Sequence, residues 1–296
     1  MPLRIGTRGS RLALAQAEEV AGLLRERGHD VDVVSMTTAG DRGASPASSP
    51  AGTKGLFVAE ITEAVSRGDV DLAVHSAKDL PSEDPPGIEV ASVPQRNLPY
   101  DVLVSRAEGL PDRPVVGTSS LRRRAQLVRL HPEAVVRDLR GNVDTRLRRV
   151  AEGHLDALVL AAAGLSRLGL TPEHVRPLPV DDMVPAPGQG ALAVQARTDD
   201  DAAEAARAVD HRPSRTAFET ERRVVALLGG GCRLPLGAYA ETRGPAVRLL
   251  AVVVRPDGSD LLWSQVEGDD PGQVAGEAAE TLLAAGAGSI LADLRT

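Results

Sequence analysis

The chain has 296 residues, 42% of them hydrophobic, with 34 basic against 41 acidic side chains and a net charge of −7. That length predicts two or three domains, and the acidic balance suits a soluble cytoplasmic protein rather than one that coats nucleic acid or a membrane surface. One cysteine excludes an internal disulfide and a multi-thiolate zinc site.

The six histidines are scattered without metal-ligand spacing, so no metal is expected. No apolar run reaches the length of a membrane span, and no apolar stretch of a signal peptide opens the sequence. With only 2% aromatic residues, the cores must be built from Ala, Val and Leu.

Short Val/Ile/Leu runs alternate with longer Ala/Leu/Arg/Glu stretches, the pattern of an α/β architecture. Residues 3–7 read as a strand and 10–27 as a helix that Gly28 ends at its C′ position. A second strand covers 31–37. Residues 39–55, rich in Gly, Ala, Ser and Pro, have no periodicity, which points to a functional lid or a loop, centred on 42–53. A helix resumes over 56–67, and a buried strand covers 71–75.

The prolines at 94 and 99 bracket a polar boundary. Beyond it lies a second α/β unit, with strands near 101–105, 115–117, 134–138 and 156–161 and helices near 119–130 and 143–152. The Pro-rich stretch 177–188 is a further boundary. Residues 189–194 are then strand-like and 199–209 helical. After Pro213 comes a last unit with a helix at 214–228, strands near 236–241, 246–254 and 260–267, and a helix at 271–285.

Gly6-Thr7-Arg8-Gly9-Ser10 and Gly117-Thr118-Ser119-Ser120 share a layout of strand, Gly-Thr, Ser, helix. Each presents a hydroxyl-rich helix N-terminus at the carboxyl edge of a sheet, where open α/β sheets bind ligands. The first N–H groups of a helix lack intrahelical partners and favour negative charge. Arg122 and Arg123 add forks suited to carboxylates, although the same residues also fit a capped helix with a solvated basic face. Arg140-Gly141-Asn142 opens another helix, with Arg146 about one turn inside, and Arg167 follows a further buried strand. Three such junctions in one unit imply a ligand with several carboxylates or phosphates. Nucleic acid is a poor fit without stacking aromatics, and no GxxxxGK[ST] loop is present to hold a nucleotide.

Lys78-Asp79 follows the buried strand at 71–75, so both side chains should emerge at the sheet edge. A carboxylate there can move protons or stabilise a developing cation, and it can equally cap a turn before Pro81. His75 reads as a core histidine with its hydrogen bonds satisfied. Cys232 follows Gly229-Gly230-Gly231 and precedes Arg233. A lone cysteine is usually a small buried hydrophobe, but this loop can present a thiolate to a bulky group.

Several stretches together resemble the hydroxymethylbilane synthase, or porphobilinogen deaminase, family over essentially the whole chain. They are Thr7-Arg8-Gly9-Ser10, Lys54-Gly55-Leu56-Phe57, His75-Ser76-Ala77-Lys78-Asp79 and Val116-Gly117-Thr118-Ser119-Ser120-Leu121-Arg122-Arg123. Leu139-Arg140-Gly141-Asn142, Thr145-Arg146-Leu147, Gly188-Gln189-Gly190-Ala191 and Gly230-Gly231-Cys232 continue in the same order. Ala77, Pro50, Ala59, Tyr100 and Gly229 depart from residues frequent in that family.

The resemblance implies three domains. The first (1–94 and 185–209) and second (100–184) would be type II periplasmic-binding-protein-like with a cleft between them. The third (213–296) would be a small C-terminal α+β domain with an antiparallel sheet. It implies a dipyrromethane cofactor held by a thioether at Cys232. Asp79 would assist loss of ammonia from each porphobilinogen and stabilise the pyrrole cations. Four units are added head to tail, and water then releases linear hydroxymethylbilane for tetrapyrrole (haem) biosynthesis.

By the same match, Arg8, Ser10, Lys78, Ser120, Arg122, Arg123, Arg140, Arg146 and Arg167 bind acetate and propionate groups of cofactor or substrate. Ser76, Thr118, Ser119, Asn142 and Gln189 join that site, and Lys54 and Phe57 belong to the lid. A monomer in the cytoplasm, with no metal, nucleic acid or membrane partner, is expected. The rival readings are a two-domain carboxylate-binding module without catalysis and an enzyme that uses Lys78 as a Schiff-base nucleophile.

Overall fold

The computed structural model describes residues 1–36, 52–229 and 235–293, and of 52–57 only the backbone. Cys232, and the expected lid up to residue 51, lie outside the described residues, while 52 and 53 open a helix.

The chain begins with β1 (Leu3–Arg8), α1 (Arg11–Arg25), β2 (Val31–Met36), α2 (Gly52–Arg67), β3 (Leu72–Ser76) and β4 (Ile88–Ser92). It then crosses to β5 (Asp101–Ser105), β6 (Val115–Gly117), α3 (Leu121–Leu130), β7 (Val135–Arg137), α4 (Val143–Ala151), β8 (Ala157–Ala161), α5 (Ala162–Leu168) and β9 (His174–Leu178). It returns as β10 (Leu192–Arg197) and α6 (Asp201–Arg207). Last come α7 (Arg212–Leu227), β11 (Leu236–Arg243), β12 (Ala246–Val254), β13 (Leu261–Gly268), α8 (Pro271–Ala284) and α9 (Ala287–Ala292).

The strands form two five-stranded mixed sheets, β2-β1-β3-β10-β4 and β7-β6-β8-β5-β9, and a three-stranded antiparallel sheet β11-β12-β13. The two larger sheets have one design. Each has three strands joined in parallel, then a strand that pairs antiparallel on both sides. That antiparallel strand is the one the chain delivers after crossing from the other sheet: β5 follows β4, and β10 follows β9. The molecule is thus mixed α/β, with two sheet-and-helix bodies and a small antiparallel third, the class the sequence pattern predicts.

The cores are aliphatic, as the composition requires. On α1, Ala17, Val20, Ala21 and Leu24 are buried at helical spacing and pack with Ile5, Leu72 and Leu192 of the first sheet. The run Leu249–Val254 in β12 is buried on both faces. Leu249, Ala251 and Val253 meet the core with α7 and α8, while Leu250 and Val252 pack on Val184 at the end of the second body. That two-sided burial explains why the strand shows no alternation.

The structure moves some expected boundaries. Helix α2 begins at Gly52, four residues before the expected start, because Gly52 and Gly55 weaken the local helical signal. The strand expected at 189–194 begins at Leu192, since Gly188 and Gly190 have φ of +71° and +87° and form a turn instead. Helix α1 ends at Arg25 with Glu26 as its cap, and Gly28 (φ +88°) follows two residues after the cap. Strands β4 and β9 and helices α5 and α9 carry no periodicity long enough to read. Strand β9 even contains Pro177, which an edge strand tolerates.

Two buried ion clusters tie the crossings together. Glu221 of α7 accepts from Arg96 Nη1 (2.7 Å) and from the backbone N–H groups of Gly188 (2.6 Å) and Ala240 (2.7 Å). Asp101, at the start of β5, binds both Arg122 and Arg123 of α3.

Candidate active site in the cleft between the two large sheets

Helices α1, α3 and α4 follow β1, β6 and β7, so their N-termini stand at the carboxyl ends of parallel strands. Each has a side-chain cap. Ser10 accepts from Ala13 N–H (3.3 Å), Ser120 from Arg123 N–H (3.4 Å) and Asn142 from Thr145 N–H (2.9 Å). Ser10, Ser120 and Asn142 line one cavity of about 1130 Å³ between the two bodies. The remaining N–H groups of three helices therefore give it a positive lining.

Asp79 and Lys78 reach the same cavity from a short 3-10 turn, Ala77–Asp79, at the end of β3. The turn is fixed from behind by Gly188, where a Cβ would lie 2.9 Å from Ala77 C and Lys78 N, so a side chain there would force the turn away. Both Lys78 and Asp79 are half-buried. Arg8 at the end of β1 lines the cavity too. Ser76 joins them, its hydroxyl bonded to the Gln16 amide of α1 at 2.8 Å.

His75 also borders the cavity and is buried, but it is not the satisfied core histidine that its apolar strand suggests. Among the described residues its Nε2 has no hydrogen-bond partner. Burial pushes the ring down to about 4, against the pull of Asp79, Gln195 and Asp84, so it is neutral at pH 7.

The arginines divide. Arg122 Nη2 lies 2.8 Å from Asp101 Oδ2, and Arg123 gives Asp101 Oδ1 two bonds, from Nε at 3.1 Å and Nη2 at 2.7 Å. Their remaining edges donate to the Val184 and Val159 carbonyls. Burial works to raise the Asp101 pKa, but the two guanidinium charges outweigh it and hold the carboxyl well below the usual range. Both arginines touch the cavity wall, although their forks, expected to meet a ligand, are spent on Asp101. Two cations on one anion still leave an excess positive charge there.

Arg146 differs. Among the described residues its guanidinium has no carboxylate partner; Nε donates to the Gly141 carbonyl at 2.8 Å. Burial and the charge of Arg123 lower its pKa, but an arginine stays protonated, so among the described residues it is a cation without a counter-ion in the cavity wall. Arg167 pairs across the cleft with Glu19, Nε to Oε2 at 2.7 Å.

Three expected site residues stand off the cavity wall. Thr118 is buried and accepts from Ser120 N–H (3.2 Å), while Gln189 donates to the Pro99 carbonyl (2.8 Å) and Asp101 (2.9 Å). Arg140 is exposed. Ser119 lines the cavity with its hydroxyl donated to the Leu139 carbonyl (2.8 Å). Cys232 and the side chains of Lys54 and Phe57 lie outside the described residues. Sequence reasoning missed Asp101, Glu19 and the Arg11–Asp144 pair (2.8 Å) that bridges α1 and α4. Only Asp101 left a signal, a carboxylate opening an otherwise apolar strand.

This two-body α/β cleft, with a cationic wall facing a carboxylate, belongs to a recognisable class. Residues 3–205 match the family model described as porphobilinogen deaminase, dipyromethane cofactor binding domain, and residues 216–284 match porphobilinogen deaminase, C-terminal domain. The chain is 46% identical over 300 residues to the porphobilinogen deaminase of Desulforudis audaxviator, covering 98% of this chain and 97% of that one. It is 44% identical over 301 residues to that of Thermus thermophilus, covering 98% of each. The chain belongs to the porphobilinogen deaminase family.

Among solved structures it is similar to an ancestral cationic amino acid solute binding protein, with TM-score 0.42 and 16% identity over 70% of this chain and 86% of that one. It is likewise similar to the BvgS periplasmic VFT2 domain of Bordetella pertussis, with TM-score 0.41 and 17% identity over the same shares. No described helix is long and apolar enough to cross a membrane.

Proposed function

We propose that this chain is the transferase that deaminates porphobilinogen and joins four molecules head to tail into hydroxymethylbilane for tetrapyrrole synthesis. Arg146 carries the reading. A half-buried cation without a counter-ion among the described residues is costly unless a ligand brings the anion. The cavity adds the excess charge of the Asp101 cluster, three capped helix N-termini, Arg8 and Lys78, which together suit a ligand with many carboxylates.

A dipyrromethane, with acetate and propionate on each ring, fits that donor set. Arg8, Ser10, Lys78, Ser120 and Arg146 would hold it, with Cys232 as its thioether anchor; when bound it supplies the pyrrole carbon from which the product grows. Arg122 and Arg123 contribute field and N-terminal geometry more than forks, Ser76, Ser119 and Asn142 shape the wall, and Thr118 and Gln189 support it from behind. Arg140, Lys54 and Phe57 serve at the rim and lid.

Asp79 is the reacting carboxylate, on the opposite body from Arg146. It stabilises positive charge as the C–N bond of the aminomethyl group breaks and ammonia leaves. It then accepts the α-proton released once the new C–C bond has formed. Residues 1–94 with 185–209 form the wall that carries Asp79, 100–184 the arginine wall, and 213–296 the support for the cysteine loop. The enzyme acts as a cytoplasmic monomer.

The test is to incubate the purified protein with porphobilinogen and follow ammonia, pyrrole loss and product mass, beside Asp79→Asn. One ammonia per porphobilinogen and a four-ring product are expected, with kcat reduced by roughly two to four powers of ten in the variant. Porphobilinogen bound but recovered unchanged would instead describe a binding module.

A further inference from the structure

Arg167 is held in an unusual way for a residue on a ligand cavity. Its side chain is 4% exposed and its Nε–Nη2 edge faces Glu19, with Nε 2.7 Å from Oε2 and Nη2 3.3 Å from Oε1. Nη2 also donates to the Gly190 carbonyl at 3.1 Å. A guanidinium has five N–H donors, and these bonds take three of them. Among the described residues the Nη1 edge has no partner, and Arg167 lines the cavity.

The two partners of this pair come from opposite bodies. Glu19 lies on α1 of the first body and Arg167 on α5 of the second. Arg11, about 12 Å along α1 from Glu19, pairs with Asp144 of α4 and so fixes the same helix against the second body at another point. Gly190 adds a third tether. It belongs to the turn whose Gly188 seats the residues around Lys78 and Asp79, so the guanidinium is referenced to the reacting carboxylate as well as to Glu19.

We infer that Glu19 is a positioning residue, which holds Arg167 by its Nε–Nη2 edge across the cleft so that the Nη1 edge meets a substrate carboxylate. This rests on the functional reading above. Glu19 itself does not line the cavity and does not touch substrate; it acts through Arg167. A carboxylate gripping one edge of the fork leaves the other oriented, and the loss of orientation is costlier than the gain of net positive charge on removing Glu19.

The test is a double-mutant cycle in the cofactor-loaded enzyme, with Glu19→Ala, Glu19→Gln, Arg167→Gln and the Glu19→Ala/Arg167→Gln pair. Glu19→Ala should lower kcat/KM for porphobilinogen about tenfold, mainly through KM, with Glu19→Gln recovering part of it. The pair should be no worse than Arg167→Gln alone. A second readout is the 15N resonance of Arg167 Nε–H, which should be slow to exchange in the wild type and fast in folded Glu19→Ala.

Additive losses, a Glu19→Ala enzyme equal to the wild type, or one with a lower KM would overturn the role of Glu19. Wild-type turnover keeps the two ideas apart. An additive cycle with an active wild type sinks the Glu19 role alone, whereas a wild type that leaves porphobilinogen intact sinks the functional reading and this inference with it.

Discussion

Arg122 and Arg123 on α3 and Arg146 on α4 stand at neighbouring strand-to-helix junctions on one cavity wall, yet they are used differently. The α3 pair is closed on itself: Asp101 takes both forks, and backbone carbonyls take the remaining edges. Arg146 is left open, with one carbonyl bond and no counter-ion among the described residues. Identical residue types with similar local sequence therefore split into a closed structural cluster and an open guanidinium, the one proposed above to meet a ligand. The divider is a carboxylate that arrives from Asp101, 21 residues before Arg122.

The contrast is sharpest in stability. Asp101→Asn should strand two buried guanidiniums and cost about 3–5 kcal/mol, seen as a large drop in the denaturation midpoint. An equally stable variant would mean that the cluster is not what holds α3 to β5.

Acid should leave that cluster alone and act on His75 instead. The folded ring is held at about 4, below its ordinary 6.5, because burial favours the neutral form. Its contribution is thus complete above pH 6.5 and is lost as pH falls towards 4, while Asp101 stays ionised throughout that window. The loss amounts to about 3 kcal/mol. Denaturant titrations at several pH values should show this slope, and His75→Gln should flatten it.

Arg146→Gln should do the reverse of Asp101→Asn. Stability should hold or rise, since an uncompensated cation is removed, while one addition slows roughly ten- to a hundredfold through loss of a charge-assisted pair worth about 1.5–3 kcal/mol. Weighing enzyme-bound intermediates at limiting porphobilinogen checks this. A build-up at one chain length is expected, whereas a uniformly slowed wild-type ladder would mean that Arg146 supplies only a general field.

Much of this was legible in the sequence because it is local. Ser10, Ser120 and Asn142 are caps that a helix start announces, and Lys78-Asp79 follows a strand that its apolar run announces. The α/β class follows from the alternation of runs. What was not legible is long-range. Nothing near Glu19 says that it meets Arg167, 148 residues away, and nothing near Arg122 says that its fork is already filled. Gln189 looks like a site residue by its motif but spends its amide on Asp101 and Pro99. Strands β4 and β9 are too short, and too interrupted by proline or charge, to give a period.

The central claim, that this cleft works on a cofactor built from its own substrate and anchored at the one cysteine, is tested most directly by intact mass of the purified protein with peptide mapping. The account predicts an excess over the sequence mass equal to a dipyrromethane, carried on the peptide containing Cys232 and absent from Cys232→Ala. An excess mapped to any other peptide, or an active enzyme with the unmodified mass, would contradict it.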